Sequence, residues 1–478
     1  MQVSNSSMWG YSAFVFFLAI PLFLLLGVSD LQFNIAMTIV FIVIIFSSYR
    51  LSKFFSSPKH QIVTSTFWVF VYIFLGVSPF IQLGSDRFPW PGYYDEALIA
   101  KSALVVLVGL FAFDFGAHQY SSRGLAIPKL LKRPLNKSAI YLVSISALVS
   151  VPFFLQRLGG IDILFMPRLE RTRILMLAYD LPEILLLSNF LSTPVYVALI
   201  AVLVKWFSLK RKNMKMTLGW KLLIFILFLF TIILNNPISN PRLRVGTILL
   251  SFFFVLPWRR WSSRVMVGGL VVGMLVVFPF TDLFRVGLDV SLIGRLEESS
   301  VVRELTENGD YDAFQMVANT VAFTENAGYQ VGQQLVGAGL FWVPRAIWPS
   351  KPIPTGQMIG EQVGYGFTNL SAPLWAEFYI DGGFILVILG FFGYGYLVRT
   401  LDSWYAYSCS QSASWVLSIM VPIYAGYQFF LLRGALMPAI AYFAPMLLVA
   451  LICSIPLSGK ASARILNDRA RITGQHLP

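Results

Sequence analysis

Arg345 and Lys351 stand six residues apart in the run FWVPRAIWPSKPIPTG (Phe341–Gly356), which also holds four prolines and two tryptophans. Proline fixes its own φ and restricts the residue before it, so the run is predicted to be a stiff, non-helical loop. Two cations on a stiff backbone suit a phosphate or an acidic sugar. Tryptophan and arginine at head-group level equally suit an interfacial anchor. Both readings stand on these residues alone.

Other arginines fall at similar depth. The stretch NNPISNPRLR puts Arg242 and Arg244 at the mouth of one apolar run, Arg285 follows another, and Arg433 lies between the last two. Guanidinium is a planar fork that binds phosphate oxygens in pairs, so several arginines without matched carboxylates would form a pyrophosphate cradle. Arg168, Arg171 and Arg173 are spaced for one helical side or a tight turn. General-base work would fall to Asp282, Asp310, Asp312, Glu361, Glu377 or Asp381, each of which also fits a helix cap or an ion pair. His60, His118 and His476 all belong to the opposite face. That excludes a Ser-His-Asp arrangement and most zinc sites beside the arginines. No HExxH, P-loop or strand-flanked GxGxxG occurs, and Cys409 and Cys453 lack metal-ligand spacing. No cofactor is expected. Lys101 and Asp114 share one apolar run, more than three helical turns apart.

These residues must be positioned by membrane helices. Of 478 residues 57% are hydrophobic and only 12% charged, with mean hydropathy +0.71. That excludes a soluble globular protein. Twelve apolar runs, about 9–29, 31–48, 63–83, 97–118, 138–156, 185–206, 219–235, 243–257, 264–280, 383–400, 412–432 and 436–456, are each predicted to cross a hydrocarbon core of roughly 30 Å as a helix. The first lacks a basic leader and is expected to be retained.

Most of the 36 basic residues cluster in alternate connections, from Arg50/Lys53/Lys59 through Lys205–Lys221 to the tail. The positive-inside rule makes that face cytoplasmic, with both termini inside. The net charge of +13 is therefore a topology signal and a contact for anionic lipid, not a nucleic-acid patch. The other face carries arginine almost without lysine, and most of the acids. The expected organisation is helices 1–5 over 1–156, a smaller outer loop over 157–184, helices 6–9 over 185–280, a large outer loop over 281–382, helices 10–12 over 383–456, and an inner tail over 457–478. The large loop reads as a lid-like subdomain of short helices on the outer surface, led by a helix over Tyr311–Asn326 with Asp310 or Asp312 as N-cap.

The stretch YDAFQMVANTVAFTENAGYQVGQQLVGAGLFWVPRAIWPSKPIPTG resembles the Wzy-type oligosaccharide repeat-unit polymerases of bacterial O-antigen and capsule synthesis. The likeness lies in a D-x-F helix, a Gly-rich step and a PR-x-x-WP-x-KP loop ahead of Gly, over roughly Asp310–Gly356. The family's Arg-x10-Gly pattern fits Arg345 to Gly356 but finds no match in the smaller loop. The resemblance implies an all-α, GT-C-like glycosyltransferase of the bacterial inner membrane with a periplasmic active site. Its donor would be a chain on undecaprenyl pyrophosphate, passed to a new lipid-linked repeat unit. A polysaccharide co-polymerase that regulates chain length and a flippase are the implied partners. Asp312 would be the base and Arg345 a catalytic cation, with Arg242, Arg244, Arg285, Lys351, Arg433, Arg171 and Arg173 toward substrate. Two alternatives are an O-antigen ligase-type transferase, disfavoured by the missing outer histidine, and a lipid-linked oligosaccharide flippase, disfavoured by few mid-membrane charges and no internal repeat.

Overall fold

The computed structural model describes residues 5–28, 31–56, 61–120, 126–256, 262–277, 301–367 and 370–456. Among these the chain is helical, with no strand beyond one isolated bridge between Pro134 and Trp415. The helices run in order α1 (Trp9–Leu25), α2 (Ile35–Ser56), α3 (Ile62–Ser85), α4 (Glu96–Gln119), α5 (Lys137–Arg157), α6 (Arg168–Met176), α7 (Leu181–Arg211), α8 (Leu218–Leu234), α9 (Arg242–Val255) and α10 (Arg264–Val276). They continue as α11 (Val301–Glu307), α12 (Ala313–Ala327), α13 (Gln333–Gly339), α14 (Thr355–Val363), α15 (Leu374–Ser410), α16 (Leu417–Arg433) and α17 (Leu436–Ile452). Every apolar run expected from the sequence contains a helix, the one local structure that satisfies all backbone groups within a single segment in lipid. Among the described residues six helices are long and apolar enough to cross a membrane: α2, α3, α4, α5, the Leu186–Arg211 part of α7, and α15.

The chain forms two compact units. The first comprises Met1–Leu125, Asn240–Ala406 and Val421–Phe443; the second comprises Ala126–Ser239, Tyr407–Met420 and Ala444–Pro478. In the first, α3 is buried along its whole apolar window. Its Phe74 stacks on Tyr311 at 5.3 Å between ring centres. Helices α4 and α15 touch backbone to backbone: a Cβ on Gly116 would lie 2.0 Å from the Phe392 carbonyl oxygen, and one on Gly395 would lie 2.0 Å from that of Phe113. Only glycine allows such a crossing.

Three carboxylates of α15 each receive amides from the start of another helix. Asp402 accepts from Val63 N (3.0 Å) and Thr64 N (2.9 Å) at the head of α3. Asp381 accepts from Gln334 N (3.2 Å) and Leu335 N (2.8 Å) of α13. Glu377 accepts from Leu436 N, the first residue of α17, and from Thr355 Oγ1, the first residue of α14, both at 2.7 Å. The four orphan amides of a helix start and the positive end of its dipole account for the choice of partner. Helix α15 bends just after Asp381, where Gly383 has φ +59°.

As expected, the segment before 383 is helical, from Leu374, and leads into the apolar helix across a break at Gly382 and Gly383. One expectation is corrected: α12 of the large loop does not lie on the outer surface but is core. Phe314, Gln315, Met316, Val317, Thr320 and Val321 are all fully buried. The sequence AFQMVANTVAFT carries small or apolar groups all round the helix, and a helix apolar all round is buried.

Candidate functional site

The site grows from the short turn Gly309–Tyr311, ahead of α12 in the first unit. Asn308 caps this turn, its Oδ1 accepting from Asp310 N at 2.9 Å. Gln82 of α3 holds it from below, its Nε2 donating to the carbonyls of Leu305 (2.7 Å) and Tyr311 (3.0 Å). Asp312 occupies the N-cap position of α12, yet its side chain bonds none of that helix's amides. Instead Oδ2 accepts from the Trp90 indole at 2.9 Å, and Oδ1 accepts from Ser371 Oγ at 2.6 Å and from Arg433 at 3.0 Å. Asp312 is 1% exposed.

Arg433, the last residue of α16, also donates to the Gly309 carbonyl and stands 3.6 Å from Asp310 Oδ1. Arg242, the first residue of α9, pairs with the other Asp310 oxygen at 2.5 Å, lies 3.7 Å from Glu304, and donates to Asn308 Oδ1 at 3.3 Å. The result is an alternating row, Arg242, Asp310, Arg433, Asp312. Trp90 is clamped in turn by Gln315, which accepts from its backbone N (3.0 Å) and donates to its carbonyl (2.6 Å). Tyr94 donates to Asn319 at 2.7 Å, and burial pushes its phenol pKa well up, keeping it a donor.

A second cluster is the proline loop. Arg345 donates to the carbonyls of Lys351 (2.5 Å) and Pro352 (3.0 Å). Lys351 Nζ donates to those of Phe341 (2.6 Å) and Val343 (3.0 Å). Each cation braces the stretch that carries the other, so the loop is stiffened by these hydrogen bonds as well as by its prolines. Among the described residues neither side chain forms an ion pair with a carboxylate. Burial first, and the Arg345 charge second, lower the Lys351 pKa. Arg345 is exposed, as are Trp342 and Ile347.

The remaining expected residues scatter. Arg244 is half-buried in the first turn of α9. Arg171 belongs to the second unit, buried and donating to the Ser239 carbonyl at 3.0 Å, while Arg173 is exposed. Glu361 is exposed and accepts from Gln357 at 2.8 Å. Lys101 pairs with Glu325 at 2.7 Å, and Asp114 pairs with Arg50, so neither joins the other. Arg285 and Asp282 lie outside the described residues. The arginines expected to lack carboxylates therefore divide: Arg242 and Arg433 are matched by acids, and Arg345 is not. Trp90, Ser371, Gln315 and Asn308 were not foreseen. The available signal was FPWPG, a tryptophan between two prolines, as in the large loop.

No family model, no curated protein and no solved structure matches this chain.

The two clusters differ in what they offer chemically. In the first, every charged side chain of the row faces an opposite charge within the protein, which suits fixing three chain segments at one point. In the second, two cations are held by neutral carbonyls, and among the described residues no carboxylate pairs with either.

Proposed function

We propose that this chain is a multi-pass membrane glycosyltransferase of the Wzy polymerase type, with twelve spans and a GT-C-like arrangement. It would join undecaprenyl-pyrophosphate-linked repeat units at the periplasmic face of the bacterial inner membrane. The observation that carries the reading is the Arg345–Lys351 pair, two cations cross-braced on one proline-rich loop with no carboxylate among the described residues against either. That loop is also the stretch most similar to the polymerases.

In this reading a hydroxyl of the incoming repeat unit attacks the anomeric carbon of the growing chain. The bond from that carbon to the pyrophosphate oxygen breaks, and the lipid pyrophosphate leaves with the electron pair. The proton of the attacking hydroxyl passes to solvent water, so the products are the extended chain, the free lipid pyrophosphate and a solvated proton. Charge grows on the leaving oxygen, and cations already in place stabilise it without reorganising. Asp312 contributes by holding Arg433 and Trp90 rather than by meeting the sugar, since its oxygens are engaged by three protein donors. Arg242 and Arg433 keep the α9 and α16 ends on the acidic turn. The co-polymerase and flippase belong to the same reading as partners that set chain length and deliver substrate.

The test is the surface polysaccharide of a deletion strain complemented with variants. Loss of the gene should leave core plus a single repeat unit, and Arg345→Ala should give the same profile at normal protein level. Polymer accumulating on the lipid carrier would indicate a ligase instead. A normal ladder from Arg345→Ala would remove the loop from the active site.

A further inference from the structure

The second unit keeps its described carboxylates at one end. Its described carboxylates, Asp162, Glu170, Asp180 and Glu183, all lie in 157–184, between the end of α5 and the first turn of α7. The other ends of those helices are about 30 Å away for α5 and about 45 Å away for α7, at 1.5 Å per residue. There 126–156 and 185–239 hold lysines and arginines, and neither they nor 407–420 and 444–456 hold an Asp or Glu.

Three of these lysines converge. Lys205 Nζ reaches inward to the Leu135 carbonyl (3.0 Å) and Ser414 Oγ (3.3 Å), which brings it beside the start of α5. Lys137 is the first residue of α5 and lies 5.8 Å from the centre of the Trp220 ring. Lys212, at the end of α7, follows Lys205 by two helical turns, on the same face. The platform is built: Leu135 N donates to Ser414 O (2.8 Å), Val416 N to Arg133 O (3.0 Å), and Ser208 Oγ to Ser412 O (2.7 Å). Helix α8 begins against the same point, with no side chain capping its N-terminus. A seam of exposed apolar residues, Leu218, Leu222, Phe225 and Leu229, runs from that terminus down α8.

We propose that Lys137, Lys205, Lys212 and the start of α8 form a phosphate site for the headgroup of an anionic phospholipid, whose acyl chains lie along the α8 seam. A topology signal needs lysines near the membrane. It does not need one of them drawn in between two loops with two more beside it and no described carboxylate of the unit at that end. The inference requires only that the helices span a bilayer, and it stands apart from the polymerase reading.

The full chain in detergent is titrated with phosphatidylglycerol, phosphatidylcholine or inorganic phosphate, and retained lipid is counted by native mass spectrometry alongside the thermal midpoint. Phosphatidylglycerol should be retained over phosphatidylcholine. Lys137→Gln with Lys212→Gln should weaken that retention about 30-fold, from roughly 1 kcal/mol per lysine near a charged lipid surface. Lys129→Gln with Lys132→Gln removes the same charge from the same end and should stay within about threefold. Equal losses from both pairs would overturn the site in favour of a diffuse field. So would equal retention of the two lipids, or inorganic phosphate raising the midpoint as far as the lipid does.

Discussion

Arg433 and Asp312, 121 residues apart in the chain, meet at 3.0 Å with the carboxylate 1% exposed. Removing one member of a buried ion pair leaves the other charge uncompensated, at a cost of about 3–5 kcal/mol. Arg433→Met should therefore lower the thermal midpoint sharply. Adding Asp312→Asn should recover much of the loss, because the amide oxygen still accepts from Ser371 or Trp90 without a charge to balance. Strictly additive losses in the double variant would show that the two residues are not coupled.

Gly309 tests the same point from the backbone. A Cβ there would lie 2.1 Å from the Trp90 ring, so Gly309→Ala must push the indole off Asp312. Overpacking of this kind costs about 1–3 kcal/mol. Gly339→Ala, which meets nothing within 4 Å, should leave stability unchanged. Equal midpoints for the two alanine variants would mean that Trp90 is not held where its bond to Asp312 requires.

The helices were legible because a membrane span announces itself by length and apolarity, both local properties. The stiffness of 341–356 was legible for a similar reason, since proline acts on its own residue and the one before it. Partners were not. Asp402 reaches Thr64 across 338 residues and Trp90 reaches Asp312 across 222, and no spacing rule encodes such distances. Asp312 illustrates the limit. Its position predicted a cap for α12, and it does stand at that N-cap, but its carboxylate turns to Trp90, Ser371 and Arg433. The burial of α12 was open to reading: small and apolar groups on every side mark a core helix, and weighing only the one-sided pattern at Phe314, Val317 and Val321 made it a surface element.

The capping carboxylates of α15 lead to a local prediction. Asp402→Leu leaves Val63 N and Thr64 N without an acceptor in a buried place, about 1–3 kcal/mol for each such group. Amide hydrogen exchange in the first turn of α3 should speed up, while the far end near Ser85 stays protected. Asp402→Asn keeps an acceptor and should exchange much more slowly than the leucine variant. If the two exchange alike, the Asp402 bonds do not hold that turn.

The proline loop should tighten as pH rises. Burial, and then the Arg345 charge, hold the Lys351 pKa below its ordinary 10.5, so the charged form is disfavoured in the folded loop. Below the folded pKa that cost is fully present. As pH climbs through it toward 10.5, the folded loop sheds its proton before the unfolded chain does, and stability rises. The neutral amine still has two N–H groups for the Phe341 and Val343 carbonyls, so the brace survives deprotonation. Limited proteolysis between Phe341 and Pro354 should therefore slow with rising pH once corrected for protease activity, and Lys351→Gln should flatten the trend. Faster cleavage of the wild type at high pH would mean that the charge of Lys351, not its hydrogen bonds, holds the loop. The pair would then need its own charges for the fold and could not offer them to a phosphate.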